Sequence, residues 1–273
     1  MSRRECLRKD ISNIQESMTM QNDRTEKGLS YCVIIPTYNH SGTIADVINA
    51  VSDFTENIIV INDGSTDNTS DILKGFGNIT VIEYKKNRGK GYALRTGFKA
   101  AIEKGFEYAI TIDSDGQHRA EEIPLFTSAI TANPDALVVG SRNLLAENMP
   151  GGNTFANNFS NFWFRLQTGM NLPDTQSGYR LYPLKKIERI CTISGRYEYE
   201  LELLVRAAWN DIRLIPVKVS VIYAPGKERV THFRPYTDFI RISILNTFLT
   251  IIALIYARPA RLIRRLFSAR GNK

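Results

Sequence analysis

The sequence has few cysteines, and their positions exclude two structural classes. Its 273 residues include three, Cys6, Cys32 and Cys191, an odd number at wide spacing. This pattern supports neither a disulfide framework nor a Cys-x-x-Cys metal site. Free thiols of this kind are typical of a reducing compartment.

Several further signals are missing. Residues Met1 to Leu29 are rich in charged and amide side chains and contain no apolar core, so we expect a polar extension and not a secretory signal. Neither the Walker spacing nor the GxGxxG spacing of nucleotide-binding loops is present. The sequence also shows no Ser/His/Asp or Cys/His set, so covalent hydrolase chemistry is not supported.

Long apolar runs are scarce as well. The most apolar stretch, Ile242 to Ala257, is 16 residues long and is interrupted by serine, asparagine and threonine. A membrane-spanning helix usually needs about 20 predominantly apolar residues. We therefore expect an amphipathic helix that lies in the membrane interface or is re-entrant. A helix docked on the sheet is the alternative.

The net charge of +7 indicates an anionic partner. Five arginines directly follow the apolar stretch, at positions Arg258, Arg261, Arg264, Arg265 and Arg270. This order is typical of an anchor on the cytoplasmic face of a membrane. Nucleic-acid binding is not predicted, because it would require basic residues interleaved with exposed aromatic side chains on one face.

The rest of the chain alternates between strand and helix patterns in a composition typical of globular proteins, 43% hydrophobic and 23% charged. The alternation predicts an α/β fold: a Rossmann-like, mostly parallel sheet with helices on both faces and ligands at the carboxyl ends of its strands. Predicted strands are Tyr31–Ile35, Ile58–Ile61, Ile79–Glu83, Ala109–Ile112, Ala136–Val139 and Leu214–Tyr223. The stretch Asn143 to Asn153 is predicted to be a long loop, and Pro173 to Pro183 to contain a polar turn. We expect a polar extension (1–29), a catalytic domain (30–235) and a membrane-associated C-terminal helix with a basic tail (236–273).

The stretch AITIDSDGQH, Ala109 to His118, is central to the prediction of function. A buried strand runs into Asp113 and Asp115, whose i, i+2 spacing directs both carboxylates to one side if the chain stays extended. Gln117 and His118 add an amide oxygen and an imidazole. This mixture suits Mg²⁺ or Mn²⁺ carrying a phosphate better than a closed zinc site.

Other polar residues are predicted to share this edge. Asp63, Arg88 and Lys90 follow the second and third strands, and the loop Asn87 to Gly91 is either a cradle for an anion or a surface turn. A second basic group precedes the C-terminal helix and is either a site for a lipid phosphate or a solvated loop. Its members are Arg229, His232 and Arg234.

Six motifs now carry a resemblance, in their order and spacing, to family 2 glycosyltransferases, and in particular to those that use polyprenyl or dolichyl phosphate. The match covers residues 31 to 235. The motifs are PTYN (36–39), NDGSTD (62–67), NRGKGYALRTG (87–97), DSDGQH (113–118), GSR (140–142) and DTQSGYRLY (174–182).

The resemblance implies a GT-A fold, a nucleotide-sugar donor, and a divalent metal that bridges the donor diphosphate and the Asp-x-Asp motif. It assigns nucleoside contacts to Pro36, Tyr38 and Asp63, with Arg88 and Lys90 nearby. It assigns the metal and diphosphate to Asp113, Asp115 and Gln117, and phosphate or sugar contacts to Arg142, Gln176 and Arg180.

The sequence thus predicts a metal-dependent inverting glycosyltransferase that moves a hexose from a UDP- or GDP-linked donor to a membrane lipid, with polyprenyl phosphate the favoured acceptor. The predicted catalytic residues are Asp115, Arg180 and Glu200, and Glu200 would act as a base if the acceptor were a hydroxyl. A hydroxyl of another lipid or glycan remains an alternative acceptor. A non-catalytic nucleotide-sugar-binding module would leave the acidic site idle, and a sugar-nucleotide pyrophosphorylase would require a glycine-rich N-terminal loop.

Overall fold

The computed structural model describes residues 28–142, 151–222, 235–257 and 259–260, with the backbone alone for residues 151–155 and 235. The residues from Tyr31 onward belong to one compact unit. The predicted basic group at Arg229, His232 and Arg234, the C-terminal arginines, and most of the predicted loop at 143–153 lie outside the described residues.

Seven strands form one sheet in the order β3-β2-β1-β4-β6-β5-β7. Only β6 runs antiparallel to its neighbours β4 and β5, so the predicted, mostly parallel α/β sheet is confirmed. The strands are β1 (Tyr31–Thr37), β2 (Ile58–Asn62), β3 (Thr80–Glu83), β4 (Tyr108–Thr111), β5 (Leu137–Arg142), β6 (Arg180–Pro183) and β7 (Leu214–Val219).

Helices cover the sheet and follow the strands that the alternation predicts. They are α1 (Ile44–Ser52), α2 (Thr69–Lys74), α3 (Lys90–Glu103), α4 (Ile123–Ala132), α5 (Gly151–Thr168), α6 (Leu184–Ile187), α7 (Glu198–Trp209) and α8 (Pro235–Ile252); a 3₁₀ turn (Ala120–Glu122) precedes α4 and a π-helical turn (Ala253–Ala257) continues α8.

Two elements differ from the sequence prediction. Strand β6 lies in a stretch interpreted as a polar turn, because its four residues are too few to show a period and Arg180 is among them. Helix α5 begins at Gly151, where a loop was predicted to continue to Asn153. The Pro-Gly-Gly sequence favours a loop locally, but proline just before a helix is compatible with its start, and tertiary packing overrides the low helix propensity of glycine.

The central strands are buried on both faces, as expected for parallel strands between layers of helices. Every residue of β2 is buried, and β1 is buried from Cys32 onward. Helix α3 packs directly on β1: a Cβ atom at Gly97 would lie 2.6 Å from Cγ2 of Ile34. The parallel register pairs Thr37 with Asn62, so the loops after β1 and β2 leave the sheet side by side.

The C-terminal helix α8 packs on α5 and α7 and presents an unusual distribution of side chains. Its inward face buries Leu245 and Leu249 together with the polar residues Asp238 and Asn246. The amide nitrogen of Gln167 on α5 donates hydrogen bonds to the main-chain and side-chain oxygens of Asn246, each at 3.1 Å. The helix is therefore docked on neighbouring helices through a partly polar face.

The outward face of the same helix is mostly apolar, with Thr237, Arg241 and Thr247 also exposed. Tyr236 to Ala257 forms one helical segment of 22 residues that is long and apolar enough to cross a membrane, with 22% of its most apolar window buried. At about 1.5 Å per residue it measures roughly 33 Å. This is longer than the sequence predicted, because Asp238 and Arg241 lie within the helix instead of ending it. Its exposed apolar side chains are Tyr236, Phe239, Ile240, Ile244, Phe248, Ile251, Leu254, Ile255 and Tyr256.

Candidate active site

The loops at the carboxyl ends of the strands surround a cavity of about 820 Å³. Ten of the predicted site residues line it. They are Pro36, Tyr38, Asp63, Lys90, Asp113, Asp115, Arg142, Gln176, Arg180 and Glu200. The structure therefore brings together residues that are up to 164 positions apart in the chain, at the edge of the sheet that its topology predicts.

Two predicted residues do not line this cavity as the described part of the chain forms it. The guanidinium of Arg88 packs instead over the rings of Tyr84 and Tyr92, at 5.3 and 4.6 Å from their centroids. The main chain of Gln117 donates to the Asp115 carboxylate at 3.0 Å and accepts from the amide of Ile222 at 3.0 Å. Their proposed ligand contacts stay predictions.

Lys90 links two carboxylates at the centre of the cavity. Its Nζ lies 2.6 Å from Oδ1 of Asp113 and 2.8 Å from Oε2 of Glu200. Burial opposes ionisation of Asp113, but the charge of Lys90 outweighs it and holds the pKa of that carboxyl below its usual range. Lys90, at the first turn of α3, thus favours the ionised form of Asp113 and joins the Asp-x-Asp motif to helix α7 through its contact with Glu200.

Asp115 has a different environment. Burial and the adjacent negative charge of Asp113 raise the pKa of Asp115. His118, whose ring lies against Tyr179, is itself buried, and burial lowers its pKa. Its Nε2 is 4.0 Å from Oδ2 of Asp113. A cation beside Asp115 would offset both the burial of this carboxyl and the adjacent negative charge of Asp113.

The donor set fits a divalent cation that substrate completes. No group of three or more His, Cys, Asp or Glu side chains among the described residues forms a preassembled metal site. Mg²⁺, however, is often held by one or two carboxylates together with substrate phosphates and water. Asp113 and Asp115, which both line the cavity beside free space, match that requirement.

The carboxylate of Asp63 holds the glycine-rich loop in place. It accepts hydrogen bonds from the amides of Arg88 at 2.8 Å and Gly89 at 2.7 Å. Burial raises the pKa of Asp63, and these two amides partly offset the effect. Gly89 has a φ of 102°, a conformation that favours glycine. Asp63 therefore shapes the loop at residues 87–91, a role that the sequence did not predict.

The two predicted arginines that line the cavity, Arg142 and Arg180, are hydrogen-bonded within the protein. The buried carboxylate of Asp174 accepts from Nε of Arg142 at 2.6 Å and from its Nη2 at 3.0 Å. Arg180 is fully buried, and its guanidinium donates to the main-chain oxygens of Thr175, Ser177 and Glu200 at 2.7 to 2.9 Å. Arg180 thus ties the loop after residue 174 to helix α7, and its predicted contact with substrate remains untested.

Three further carboxylate or arginine side chains line the cavity and were not predicted. Arg196 precedes α7, Glu198 opens it, and Asp238 reaches the cavity from the first turn of α8. The acidic run Glu198, Glu200 and Glu202 was a signal for Glu198, whereas no local pattern indicated Arg196. A lone aspartate at the start of an apolar segment would have indicated Asp238.

The chain matches the family model for glycosyl transferase family 2 over residues 32–190. It is 31% identical over 213 residues to the UDP-N-acetylglucosamine–dolichyl-phosphate N-acetylglucosaminyltransferase of Methanococcus voltae, covering 70% of this chain and 85% of that protein. It is 28% identical over 201 residues to the polyprenol monophosphomannose synthase of Mycolicibacterium smegmatis, covering 69% and 76%.

The fold also matches solved structures. Glucosyl-3-phosphoglycerate synthase from Mycobacterium tuberculosis, crystallised with Mn²⁺, UDP-glucose and phosphoglyceric acid, superposes with a TM-score of 0.62 at 19% identity, over 84% of this chain and 80% of that one. This likeness supports the GT-A fold. Because the family model matches more than half of the chain and a relative above 30% identity is covered over most of its length, the chain is a member of glycosyl transferase family 2.

Proposed function

We propose that this glycosyltransferase moves a hexose from a UDP- or GDP-linked donor to polyprenyl phosphate at a membrane surface. One observation carries the proposal: the helix with an exposed apolar face, α8, also supplies Asp238 and Ile242 to the wall of the cavity. An acceptor held in the membrane by its lipid tail would therefore have its head group next to the sugar-donor site. The names of relatives that act on dolichyl and polyprenol phosphates agree with this acceptor class.

The donor end of the cavity would be the edge formed by Pro36, Tyr38 and Asp63. Asp113 and Asp115 would hold Mg²⁺ or Mn²⁺, and the cation would neutralise the charge that develops on the departing nucleoside diphosphate. Lys90 holds Asp113 in a fixed orientation at 2.6 Å. Pre-positioned charge of this kind stabilises a transition state without reorganisation.

A lipid phosphate acceptor is already anionic and needs no strong base. Its oxygen would attack the anomeric carbon directly, and a single displacement of this kind inverts the configuration. The orientation of the acceptor would come from the wall formed by α5 and α8, where Ser160 and Ile242 line the cavity. Membrane binding through α8 and the C-terminal arginines places the enzyme on the cytoplasmic face in this proposal.

A hydroxyl acceptor is a second candidate, because the cavity offers carboxylate oxygens that could take a proton. Oε1 of Glu200 and Oε2 of Glu198 are buried and have no hydrogen-bond partner among the described residues. A base within reach of an acceptor hydroxyl would use such an oxygen. The two candidates differ in the product that forms, a glycosyl phosphate or a glycoside.

The test is a transfer assay with the full-length protein, Mn²⁺ or Mg²⁺, a panel of UDP- and GDP-sugars, and vesicles with or without polyprenyl phosphate. We expect nucleoside diphosphate release and an acid-labile sugar lipid that both depend on the lipid phosphate and disappear with EDTA. Asp115→Asn should abolish turnover with the fold intact, whereas Asp53→Asn, at an exposed position, should not. Transfer to neutral lipids alone would favour the hydroxyl acceptor, and full activity in EDTA would refute the metal-dependent reaction.

A further inference from the structure

The cavity has an unfavourable charge balance for a phosphate ligand. Six carboxyl side chains line it, against four lysine and arginine side chains. Three of those four cations are already bound to protein acceptors: Lys90 to two carboxylates, Arg142 to Asp174, and Arg180 to three carbonyls. Of the lysine and arginine side chains that line the cavity in the described part of the chain, this leaves one to meet an incoming anion.

Arg196 is the fourth cation. It is partly buried and lines the cavity, yet among the described residues no hydrogen bond or salt bridge holds its guanidinium. A guanidinium carries five N–H donors in a planar fork that matches the oxygens of a phosphate. An arginine of this kind in an acidic cavity is available to a ligand.

The backbone around Arg196 is fixed from several sides. The fully buried carboxylate of Glu202 accepts from the amides of Ile193 at 3.0 Å and Ser194 at 2.8 Å. Arg95 donates to the carbonyl of Ser194 at 2.8 Å, and the carbonyl of Gly195 accepts from the amide of Tyr92 at 3.0 Å. The loop is thus bonded both to α7 and to the first turn of α3.

The side chain of Arg196 also lies on the glycine-rich loop. A Cβ atom at Gly89 would be 2.6 Å from Cγ of Arg196, so the stem of the arginine occupies the space that the glycine leaves. Gly89 in turn donates to Asp63, and the charge of Arg196 is one of the factors that lower the pKa of Asp63 against the larger effect of burial. The guanidinium is therefore held near the nucleotide end of the cavity.

From these contacts we propose that Arg196 is a phosphate-binding residue of the cavity, and that its ligand is the diphosphate of the sugar donor. This inference rests on the proposed function, since it requires a phosphate-bearing substrate. The phosphate of a lipid acceptor has the same chemistry and is the other possible source. A contact of Arg196 with the base or the ribose would instead be independent of phosphate.

Isothermal titration calorimetry separates these sources. The full-length protein with Mn²⁺ is titrated with UDP, GDP, uridine and guanosine, and separately with farnesyl phosphate in micelles. We expect Arg196→Gln to weaken binding of the preferred nucleoside diphosphate by about tenfold or more, the loss for one charge-assisted hydrogen bond, and to leave nucleoside binding unchanged. Arg196→Lys should lie between, because it keeps the charge and loses the fork.

Arg189→Gln is the matched control, because Arg189 is exposed, lies two residues after the end of α6 and does not line the cavity. Thermal unfolding should show that each variant is folded. A loss confined to farnesyl phosphate would support phosphate binding and assign the phosphate to the acceptor. If Arg196→Gln bound every phosphate ligand as the wild type does, or lost affinity for the nucleosides equally, the inference would be overturned. A wild-type protein that binds neither a nucleoside diphosphate nor farnesyl phosphate would overturn the proposed function as well.

Discussion

Replacing Gly178 with alanine should impair the catalytic site more than the fold. Gly178 lies between Asp113 and Lys90: an added Cβ would be 2.6 Å from Oδ2 of Asp113 and 2.9 Å from Nζ of Lys90. Contacts under 3.0 Å essentially never occur, so the carboxylate must move by about 0.4 Å or more. The φ angle of Gly178 is not positive, and alanine is therefore compatible with the backbone there.

The two atoms that must move, Oδ2 of Asp113 and Nζ of Lys90, are at the ends of side chains, and this determines how large the loss of stability should be. Side-chain ends facing a cavity can shift without repacking the core, so we expect stability to fall by no more than about 1 kcal/mol, the low end for an added methyl group. The carboxylate, by contrast, would leave the position in which Lys90 holds it at 2.6 Å. A misplacement approaching 1 Å in a catalytic site can lower turnover by about 10²-fold.

Three measurements test this reasoning. Urea denaturation gives the change in stability, Mn²⁺ titration followed by electron paramagnetic resonance gives metal affinity, and the transfer assay gives turnover. Gly77→Ala is the matched control, since a Cβ at Gly77 meets nothing within 4 Å. A Gly178→Ala protein with wild-type Mn²⁺ affinity and turnover would refute the role of this close contact, and one that does not fold would show that the core, and not the site, depends on it.

Two further predictions concern the surface and the pH dependence. The double substitution Ile244→Gln and Ile255→Gln, on the exposed face of the segment 236–257, should weaken binding to anionic vesicles and leave thermal stability unchanged. Leu249→Gln, at a buried position, should instead lower the free energy of unfolding by about 2 to 4 kcal/mol. Unchanged sedimentation of the double variant with vesicles would contradict a membrane-facing surface. Although burial opposes it, hydrogen bonding holds the pKa of Asp67 at about 2, so its stabilisation is present above the unfolded pKa of about 3.9 and is lost as pH falls through 2. Asp67→Asn should therefore lower the free energy of unfolding by about 1 kcal/mol at pH 7, and by progressively less below pH 4, in urea denaturation. An equal loss at pH 7 and below pH 4 would contradict this.

The sequence predicts the sheet and the edge where the chemistry lies, because both follow from local patterns. The four strands β1 to β4 each end in a polar residue, and because these strands are parallel, their carboxyl ends lie along one edge of the sheet. Asp63, Lys90 and Asp113 are therefore found in one cavity. Strand β6 could not be predicted from a local pattern, because its four residues include the buried Arg180 and show no apolar period.

The partners of each charged side chain could not be predicted in this way. The resemblance assigns Arg180 a contact with phosphate or sugar, whereas in the folded chain its guanidinium donates to three main-chain carbonyls. The carboxylate of Asp63 likewise accepts hydrogen bonds from the main-chain amides of residues 88 and 89. Such contacts require that segments distant in sequence are positioned to within a few tenths of an ångström. No local sequence pattern encodes this positioning.

The C-terminal helix shows why its role was only partly predicted. Polar residues within an apolar run indicate a short or interfacial helix if they face solvent, but Asp238 and Asn246 face inward here. These two polar residues therefore dock the helix on the protein and leave most of its apolar residues outside. Thr237, Arg241 and Thr247 are exposed, so the outward face is mostly and not entirely apolar.

Lys90 connects the two halves of the site. Through Nζ it contacts Asp113, which the proposed function assigns to the metal and donor, and Glu200 on helix α7. If Asp113 held a divalent cation, its attraction for the ammonium would weaken, because both positive charges would compete for one anion. Lys90 would then be bound more by Glu200, so in the proposed function the charge distribution around Glu200 would depend on whether the metal is in place.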